Sequence, residues 1–369
     1  MISVFGSLVG EEEIEAVATV MRSQWMGFGS KVNEFEEAYK IKFNIQNFAL
    51  VDSGSNALFM AVRLLNLPIG SKIIVPSFTW VSCAQAVLLA GCIPVFCDVD
   101  LVSMNVTRAT VEAVLDEDVK AIMVVHYAGL PVEMDEILKI GLPVIEDAAH
   151  AVNSTYHGVA CGIIGDVGIF SYDAVKNLTV GEGGGIASTN KELIDRAKRL
   201  RYCGIGKSGF ENAGQEGVNR WWEYNISEPF IKMLPTNIAA AIGIEQLKKI
   251  DLLQSRREMI WNFYTKNLQD LSDVILPMDA PEYSQHSYFT YCIRAPKRNE
   301  LARHLLDCGI YTTLRYHPLH LNPLYNQLAQ SLPNSQQLNI DALSLPLHPR
   351  LSLDDANMVV TAVRKFYLA

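Results

Sequence analysis

Between residues 48 and 174, short apolar runs alternate with stretches whose apolar positions recur at helical spacing. FALVDSG (48–54) is a strand closing in a turn, and NALFMAVRLLN (56–66) repeats its apolar residues at helical spacing. SKIIVPS (71–77) is the next strand, SCAQAVLLAG (82–91) a helix, and CIPVFCDVD (92–100) a strand again. VKAIMVVHYAG (119–129), LPVIEDAAH (142–150) and DVGIFSYDA (166–174) follow as strands, with VEMDEILKI (132–140) as a helix between the first two. Strands that are apolar along nearly their whole length are covered on both faces. Strand–helix alternation therefore predicts an α/β fold on a mainly parallel sheet. Ligands of such sheets bind beyond the carboxyl ends of the strands, and Ser53-Gly54, Pro76-Ser77 and Asp147 all lie at such ends.

After about residue 245 the pattern changes. IEQLKKIDLLQSRREMIWNFYTKNLQDL (244–271) predicts a long helix with room for one break. QHSYFTYCIRA (285–295) and GIYTTLRYHP (309–318) predict strands flanking the helix RNELARHLLD (298–307), and LDDANMVVTAVRKFYLA (353–369) closes the chain as an amphipathic helix. The expected organisation is a large α/β domain over 1–245 and a smaller α+β domain over 246–369, packed closely because no low-complexity linker separates them.

Composition narrows the class. The chain has 369 residues, 49 % hydrophobic and 19 % charged, which is ordinary for a globular protein. No apolar run is long enough to span a bilayer, and the acidic start MISVFGSLVGEEEIEAV lacks the basic region of a signal peptide, so the expectation is a cytoplasmic protein with no membrane partner. Seven cysteines, an odd count with no C-x-x-C, suggest neither a disulfide framework nor a zinc site, and most read as core. The net charge of −9 argues against a nucleic-acid partner bound through bulk charge, so a phosphorylated ligand needs local donors.

Some motifs lead nowhere. GIGKSG (204–209) matches G-x-G-x-x-G but follows a helical pattern rather than a strand, so it is no dinucleotide fingerprint. The eight histidines lack metal spacing: His317 and His320 in RYHPLH are separated by a proline and do not share a helical face, and no metal is expected.

The chemistry gathers around SYDAVKNLTVGEGGG (171–185), where Lys176 stands between two apolar strand-like stretches. A lysine in an apolar setting has a lowered pKa and becomes nucleophilic, as Schiff-base chemistry requires; a solvated turn lysine is the plainer alternative. In VDSGSNAL, the backbone N–H groups of Gly54, Ser55 and Asn56 point off a helix N-terminus, where a phosphate binds. Asp147 ends a buried strand, either as a helix cap or as the partner of a buried cation such as a protonated pyridine nitrogen. Ser171 ends the strand five residues before Lys176, in reach of the same phosphate. Trp80, in a strand-to-helix turn, either packs in the core or covers a flat ring. Together these are the contacts that pyridoxal 5′-phosphate (PLP) needs.

The sequence resembles the sugar aminotransferases of the DegT/DnrJ/EryC1/StrS family. The resemblance runs from GEEEIEAVATVMRSQWMGFGSKVNEFEEAY through VDSGSNAL, IIVPSFTWVS, VIEDAAHAVNSTYHG and GIFSYDAVKNLTVGEGGGIAST to NIAAAIGIEQL and GIYTTLRYHPLHLNPLY. It implies a type I PLP fold, with a mainly parallel, seven-stranded-type sheet between helices in the large domain. It implies Lys176 as the imine-forming lysine, Asp147 as the ring-nitrogen acid, Gly54, Ser55 and Ser171 as phosphate ligands, Trp80 as the ring-stacking aromatic and His150 near the cofactor oxygen. It further implies a homodimer in which Asn225, in EYNIS, reaches the neighbouring subunit's phosphate. Here the sequence departs from the family: Ile226 and Ser227 replace the usual Tyr-Arg, and GKSGFENAGQEGVNRWWEY (206–224) is an unusual insert.

The expected activity is transfer of an amino group from an amino acid, L-glutamate, to a nucleotide-linked keto-deoxy sugar. The rival acceptor is a non-nucleotide keto sugar or a cyclitol. Dehydratases of the same family carry histidine at the lysine position, which Lys176 argues against, and a catalytically silent relative is expected to have lost the lysine, the acid or a phosphate ligand. Because the protein is acidic, the diphosphate and base of such a substrate need local cations and flat surfaces. Lys207, Arg220, Trp221, Trp222 and Tyr224 of the insert, with Arg315 and His317 of the RYHPLH block, are the candidate substrate contacts.

Overall fold

The computed structural model describes residues 1–207, 209, 213, 220–328 and 331–368. Four helices precede or interleave with the first strands: α1 (Glu11–Arg22), α2 (Ser30–Phe43), α3 (Gly54–Leu64) and α4 (Ser82–Leu89). The strands are β1 (Asn47–Val51), β2 (Lys72–Pro76), β3 (Ile93–Cys97), β4 (Val119–Val125), β5 (Val144–Asp147), β6 (Thr155–Tyr156), β7 (Val159–Ala160), β8 (Val167–Ser171), β9 (Gly184–Ser188), β10 (Ser284–Gln285), β11 (Tyr291–Arg294) and β12 (Ala342–Leu345).

Seven of them form one sheet in the order β1-β9-β8-β5-β4-β2-β3. β9 runs antiparallel to both neighbours and the other pairs are parallel. The apolar runs that suggest strands covered on both faces are buried: Ile73, Val75, Ala121, Met123, Ile145 and Ile169 join the side of α3 and α4, while Ile74, Ile122, Val124 and Val144 pack on the other face. The fold is the α/β arrangement expected, with β9 as the antiparallel exception. Its sequence, GGIAS, has small residues because the sheet is crowded there. A Cβ on Gly184 would lie 2.3 Å from the Ser53 carbonyl oxygen.

All the parallel strands end at one edge, so the turns after β1, β2, β5 and β8 converge there. That edge meets the carboxyl-terminal part. The long helix predicted over 244–271 is broken at Lys249 (φ −105°, ψ 12°), between helices Asn237–Lys248 and Ile250–Leu268. A separate core gathers Trp261, Tyr264, Tyr291, Leu301, Leu343 and Val359 beneath the antiparallel pair β11–β12.

One predicted strand is corrected. Residues 309–318 form only single bridges, Ile310 to Ile2 and Thr313 to Ser344, and β11 pairs instead with β12, whose sequence ALSL carries no strand signature of its own. The freed segment crosses the mouth of the sheet edge. Residues near the amino terminus are held there too: the Ile2 N–H donates to Gly309 O at 2.8 Å and the Tyr311 N–H to Ile2 O at 2.8 Å. No described helix is long and apolar enough to cross a membrane.

Candidate active site

A cavity of about 360 Å³ opens at the carboxyl edge of the sheet. Its floor is Asp147 and Ser171 from strand ends with Ser53, Gly54 and Ser55 from the start of α3, and Lys176 enters from the β8–β9 connection. The far wall is the segment Thr313–Tyr316 together with Phe5.

The β8–β9 connection is tied down on both sides of Lys176. The Tyr172 N–H donates to Gly183 O and the Val180 N–H to Tyr172 O, each at 2.9 Å, and the Asn177 amide donates to Ser287 O at 2.7 Å. The backbone on either side of the lysine is therefore fixed. Its amine stands 4.7 Å from the Phe289 ring centroid and forms no ion pair among the described residues. Burial, and then the Arg315 charge, bring its pKa down from 10.5 to about 8, against the opposing pull of Asp147 and Asp173. A neutral amine is thus accessible near physiological pH, which answers to the sequence expectation for an amine in an apolar setting.

Asp147 is almost fully buried at the end of β5. Its Oδ1 accepts the Ala149 N–H at 2.9 Å and its Oδ2 the Cys83 thiol at 3.1 Å. Its neighbour Glu146, which the sequence reading passed over, has a different job. Fully buried, it accepts the Gly162 N–H (2.8 Å) and the His126 ring (2.9 Å) on Oε2, and the Ile164 and Gly165 N–H groups (both 2.6 Å) on Oε1. His126 Nδ1 accepts the Val132 N–H, so Nε2 carries the proton that faces Glu146. The two acids of the block are thus divided: Glu146 fastens the loop after β7, and Asp147 faces the cavity.

At the phosphate end, Ser53 caps α3 by accepting the Asn56 N–H at 3.2 Å. The Gly54 and Ser55 N–H groups, in the first turn, have no intrahelical acceptor. Asn56 does not line the cavity: its N–H is spent on the cap and its side chain donates to Asp52 at 2.8 Å. A Cβ on Gly54 would fall 2.8 Å from Ser171 Cβ and 2.9 Å from its Oγ, so glycine is what lets the serine lie against the helix start. Ser55 Oγ lies 2.7 Å from Ser82 Oγ.

Aromatic rings close the sides. Trp80 is 54 % exposed and lines the cavity with its ring 5.4 Å from that of Tyr316, so core packing does not explain it. His150 is buried, stacks on Phe289 (centroids 4.1 Å, 17°) and bonds Tyr316 OH through Nε2 at 3.0 Å. Burial and the Lys176 and Arg315 charges hold its pKa well below the usual histidine range. Arg315 is buried with its guanidinium 4.6 Å from the Phe5 centroid and 4.5 Å from that of Phe289, and it has no carboxylate partner among the described residues. Two buried polar atoms here are without partners, His150 Nδ1 and Arg315 Nε.

These residues fit PLP. The glycine cradle with its free N–H groups suits a phosphate, Asp147 suits a ring nitrogen, Trp80 presents an open ring face, and the orphaned His150 nitrogen awaits a polar group. Phe5, Cys83, Phe289 and Tyr316 are absent from the sequence reading of the site. Tyr316 lies inside the matched RYHPLH block, whereas nothing in the sequence ties Phe5 to Arg315, 310 residues further along the chain.

The remaining sequence candidates lie elsewhere. Of the substrate contacts, only Arg315 lines the cavity. Arg220 is exposed and pairs with Glu223 at 2.7 Å, Trp221 packs edge-on against Trp222, and His317 meets Asn339 at 3.1 Å. Lys207, Tyr224 and Asn225 are exposed. Residues 208, 210–212 and 214–219 of the insert lie outside the described residues. No group of His, Cys, Asp and Glu among the described residues is placed to hold a metal.

The sequence pattern of the DegT/DnrJ/EryC1/StrS aminotransferase family matches residues 8–364. The chain is 37 % identical to the dTDP-4-dehydro-2,3,6-trideoxy-D-glucose 4-aminotransferase of Saccharopolyspora spinosa, over 98 % of this chain and 95 % of that one. Among solved structures it resembles the aminotransferase TlmJ of Streptoalloteichus hindustanus, with 34 % identity, a TM-score of 0.92 and coverage of 99 % and 98 % of the two chains. A candidate sugar aminotransferase of Streptococcus pneumoniae, solved in its PLP form, matches with 25 % identity and a TM-score of 0.90, covering 99 % of this chain and 98 % of that one.

Proposed function

This chain belongs to the DegT/DnrJ/EryC1/StrS aminotransferase family, and on that premise we propose that it transfers an amino group from L-glutamate to a keto-deoxy sugar carried on a nucleoside diphosphate. It is a PLP-dependent sugar aminotransferase with the type I fold. PLP, when bound, supplies the electron sink for the carbanion left as a proton departs from the donor carbon.

The residues divide the rest of the work. Lys176 Nζ, its pKa brought down to about 8, takes the proton from the donor carbon and returns it, as a tuned general base and acid. Asp147 would hold the ring nitrogen and keep it protonated. The Gly54 and Ser55 N–H groups and the Ser171 hydroxyl would hold the phosphate, and Trp80 would cover a ring face. His150, kept neutral, would offer Nδ1 to the cofactor oxygen. Arg315, which has no carboxylate partner among the described residues, binds a substrate carboxylate.

The observation that carries this reading is the Lys176 amine: on a loop fixed at both ends, with its pKa brought down to about 8, and in one cavity with Asp147. The sugar nucleotide rests on the 37 % identical relative, whose substrate is a dTDP-linked sugar. Lys207, Arg220 and Trp221 of the insert lie outside their own chain's cavity, and in this reading they reach the nucleotide only across a subunit boundary. The active unit is a homodimer. Asn225 lies outside its own chain's cavity, beside the exposed Trp221, Trp222, Tyr224 and Ile226, and in this reading it serves a second copy.

The test is mass spectrometry of products from a panel of nucleotide-linked keto sugars, free keto sugars and cyclitols, each with glutamate and alternative amino donors. Amination of a nucleotide-linked sugar with glutamate is expected. Equal turnover of the free sugar would replace the nucleotide reading with the cyclitol or free-sugar one. Sedimentation of the active enzyme is expected to give a dimer, and an active monomer would remove Asn225 from the site.

A further inference from the structure

Cys83 does not line the cavity, yet it touches the residue that matters most there after Lys176. It lies in the first turn of α4, fully buried, with Sγ 3.1 Å from Asp147 Oδ2 and 3.4 Å from Thr79 Oγ1. An ionised carboxylate only accepts, so the thiol must be the donor. Burial and the Asp147 charge hold the thiol pKa well above its usual value, so the donor proton stays in place. Asp147 is thereby fastened on both oxygens, by the Ala149 N–H on Oδ1 and by the thiol on Oδ2. The carboxylate cannot turn without losing one of the two bonds.

We propose that Cys83 is a positioning residue for the aminotransferase reaction: its S–H orients Asp147 toward the ring nitrogen of the cofactor and moderates the basicity of that carboxylate. The proposal rests on the reading of Asp147 and Lys176 as the PLP site. A carboxylate that loses a hydrogen-bond donor becomes a stronger base. It then draws the ring proton toward itself, the ring withdraws less charge, and Lys176 Nζ in the holoenzyme keeps its proton to higher pH. The other ionisable groups around Cys83, Asp147 and Lys176 are Arg315, Asp173, His150, Tyr316, Tyr325 and Glu182, all of which remain in the variants below.

The experiment compares Cys83→Ala, Cys83→Val and Cys83→Ser as purified PLP holoenzymes, following the visible absorption band against pH together with thermal stability. Cys83→Ala and Cys83→Val, one leaving a gap and one filling it, are both expected to move the band's midpoint upward by a few tenths of a pH unit. Cys83→Ser, which restores a donor, is expected to keep the parent midpoint. A midpoint unchanged in Ala and Val, whatever happens to stability, overturns the proposal, since packing alone would then account for Cys83. A serine variant shifted as far as alanine also overturns it. If the parent protein itself shows no visible band and no borohydride-dependent labelling of Lys176 by PLP, the PLP reading fails first, and the two failures are told apart.

Discussion

The Lys176 amine stands 4.7 Å from the centroid of the Phe289 ring. Phe289 also packs against the Arg315 guanidinium and the His150 ring, so two positive groups and a neutral imidazole share one apolar surface. This arrangement sets the Arg315 charge close to the lysine on an apolar surface, and the lysine gives up its proton early.

The depressed Lys176 pKa makes apo-protein stability depend on pH. Folded, the amine loses its proton near pH 8; unfolded, near 10.5. Between those values the unfolded chain binds more protons, so stability rises with pH. Below pH 8 the penalty is complete, with an upper limit of roughly 3 kcal/mol. Lys176→Met is therefore expected to stabilise the apo-protein in urea at pH 7, with the gain shrinking above pH 8 and absent above 10.5. A gain that stays constant from pH 7 to 11 would contradict the lowered pKa. Overall turnover is expected to be lost in the same variant.

Removing the Arg315 charge relieves Lys176. Arg315→Gln is expected to raise the pH at which apo-protein takes up PLP fastest, because only the neutral amine attacks a carbonyl and Arg315 is the largest charge holding its pKa down. The KM for glutamate is also expected to rise by about one to two decades, the loss of a charged hydrogen bond worth roughly 1.5–3 kcal/mol. Stopped-flow PLP uptake against pH and steady-state kinetics read the two effects separately. An unchanged KM for glutamate would assign Arg315 to tuning alone.

Gly54→Ala puts a methyl group 2.8 Å from Ser171 Cβ, where neither the helix start nor the strand end yields cheaply. Overpacking of this kind costs about 1–3 kcal/mol. The serine is displaced from the phosphate position, so the PLP Kd in a fluorescence titration is expected to rise by about one to two decades. Unchanged PLP affinity would show that Ser171 is not a phosphate ligand.

Glu146→Gln looks conservative in sequence and is not. Both carboxylate oxygens accept from donors, so whichever way the amide points, its NH₂ group faces a backbone N–H. The expected loss is about 2–3 kcal/mol, the value of a hydrogen bond to a charged group. Thermal denaturation of the apo-protein reads it directly, and a variant as stable as the parent would disprove the role given to Glu146.

The alternation of apolar strands and helices determined the α/β class and the strand ends at which ligands bind, because strand burial and helical spacing are local properties of the chain. Local sequence also singled out Lys176, Asp147, Gly54, Ser55 and Ser171, each at a strand end or in the short connection that follows. It did not reveal that β9 runs antiparallel, that ALSL would pair with β11 while GIYTTLRYHP would not, or that Phe5 would face Arg315. Those outcomes depend on which edges and rings meet after the chain has closed over hundreds of residues. The same holds for the two acids of VIEDAAH, adjacent in sequence but on opposite faces of β5. The period-two geometry of a strand separates them, but only the tertiary structure decides that His126 and the Gly162–Gly165 backbone wait on one side and Cys83 with the cavity on the other.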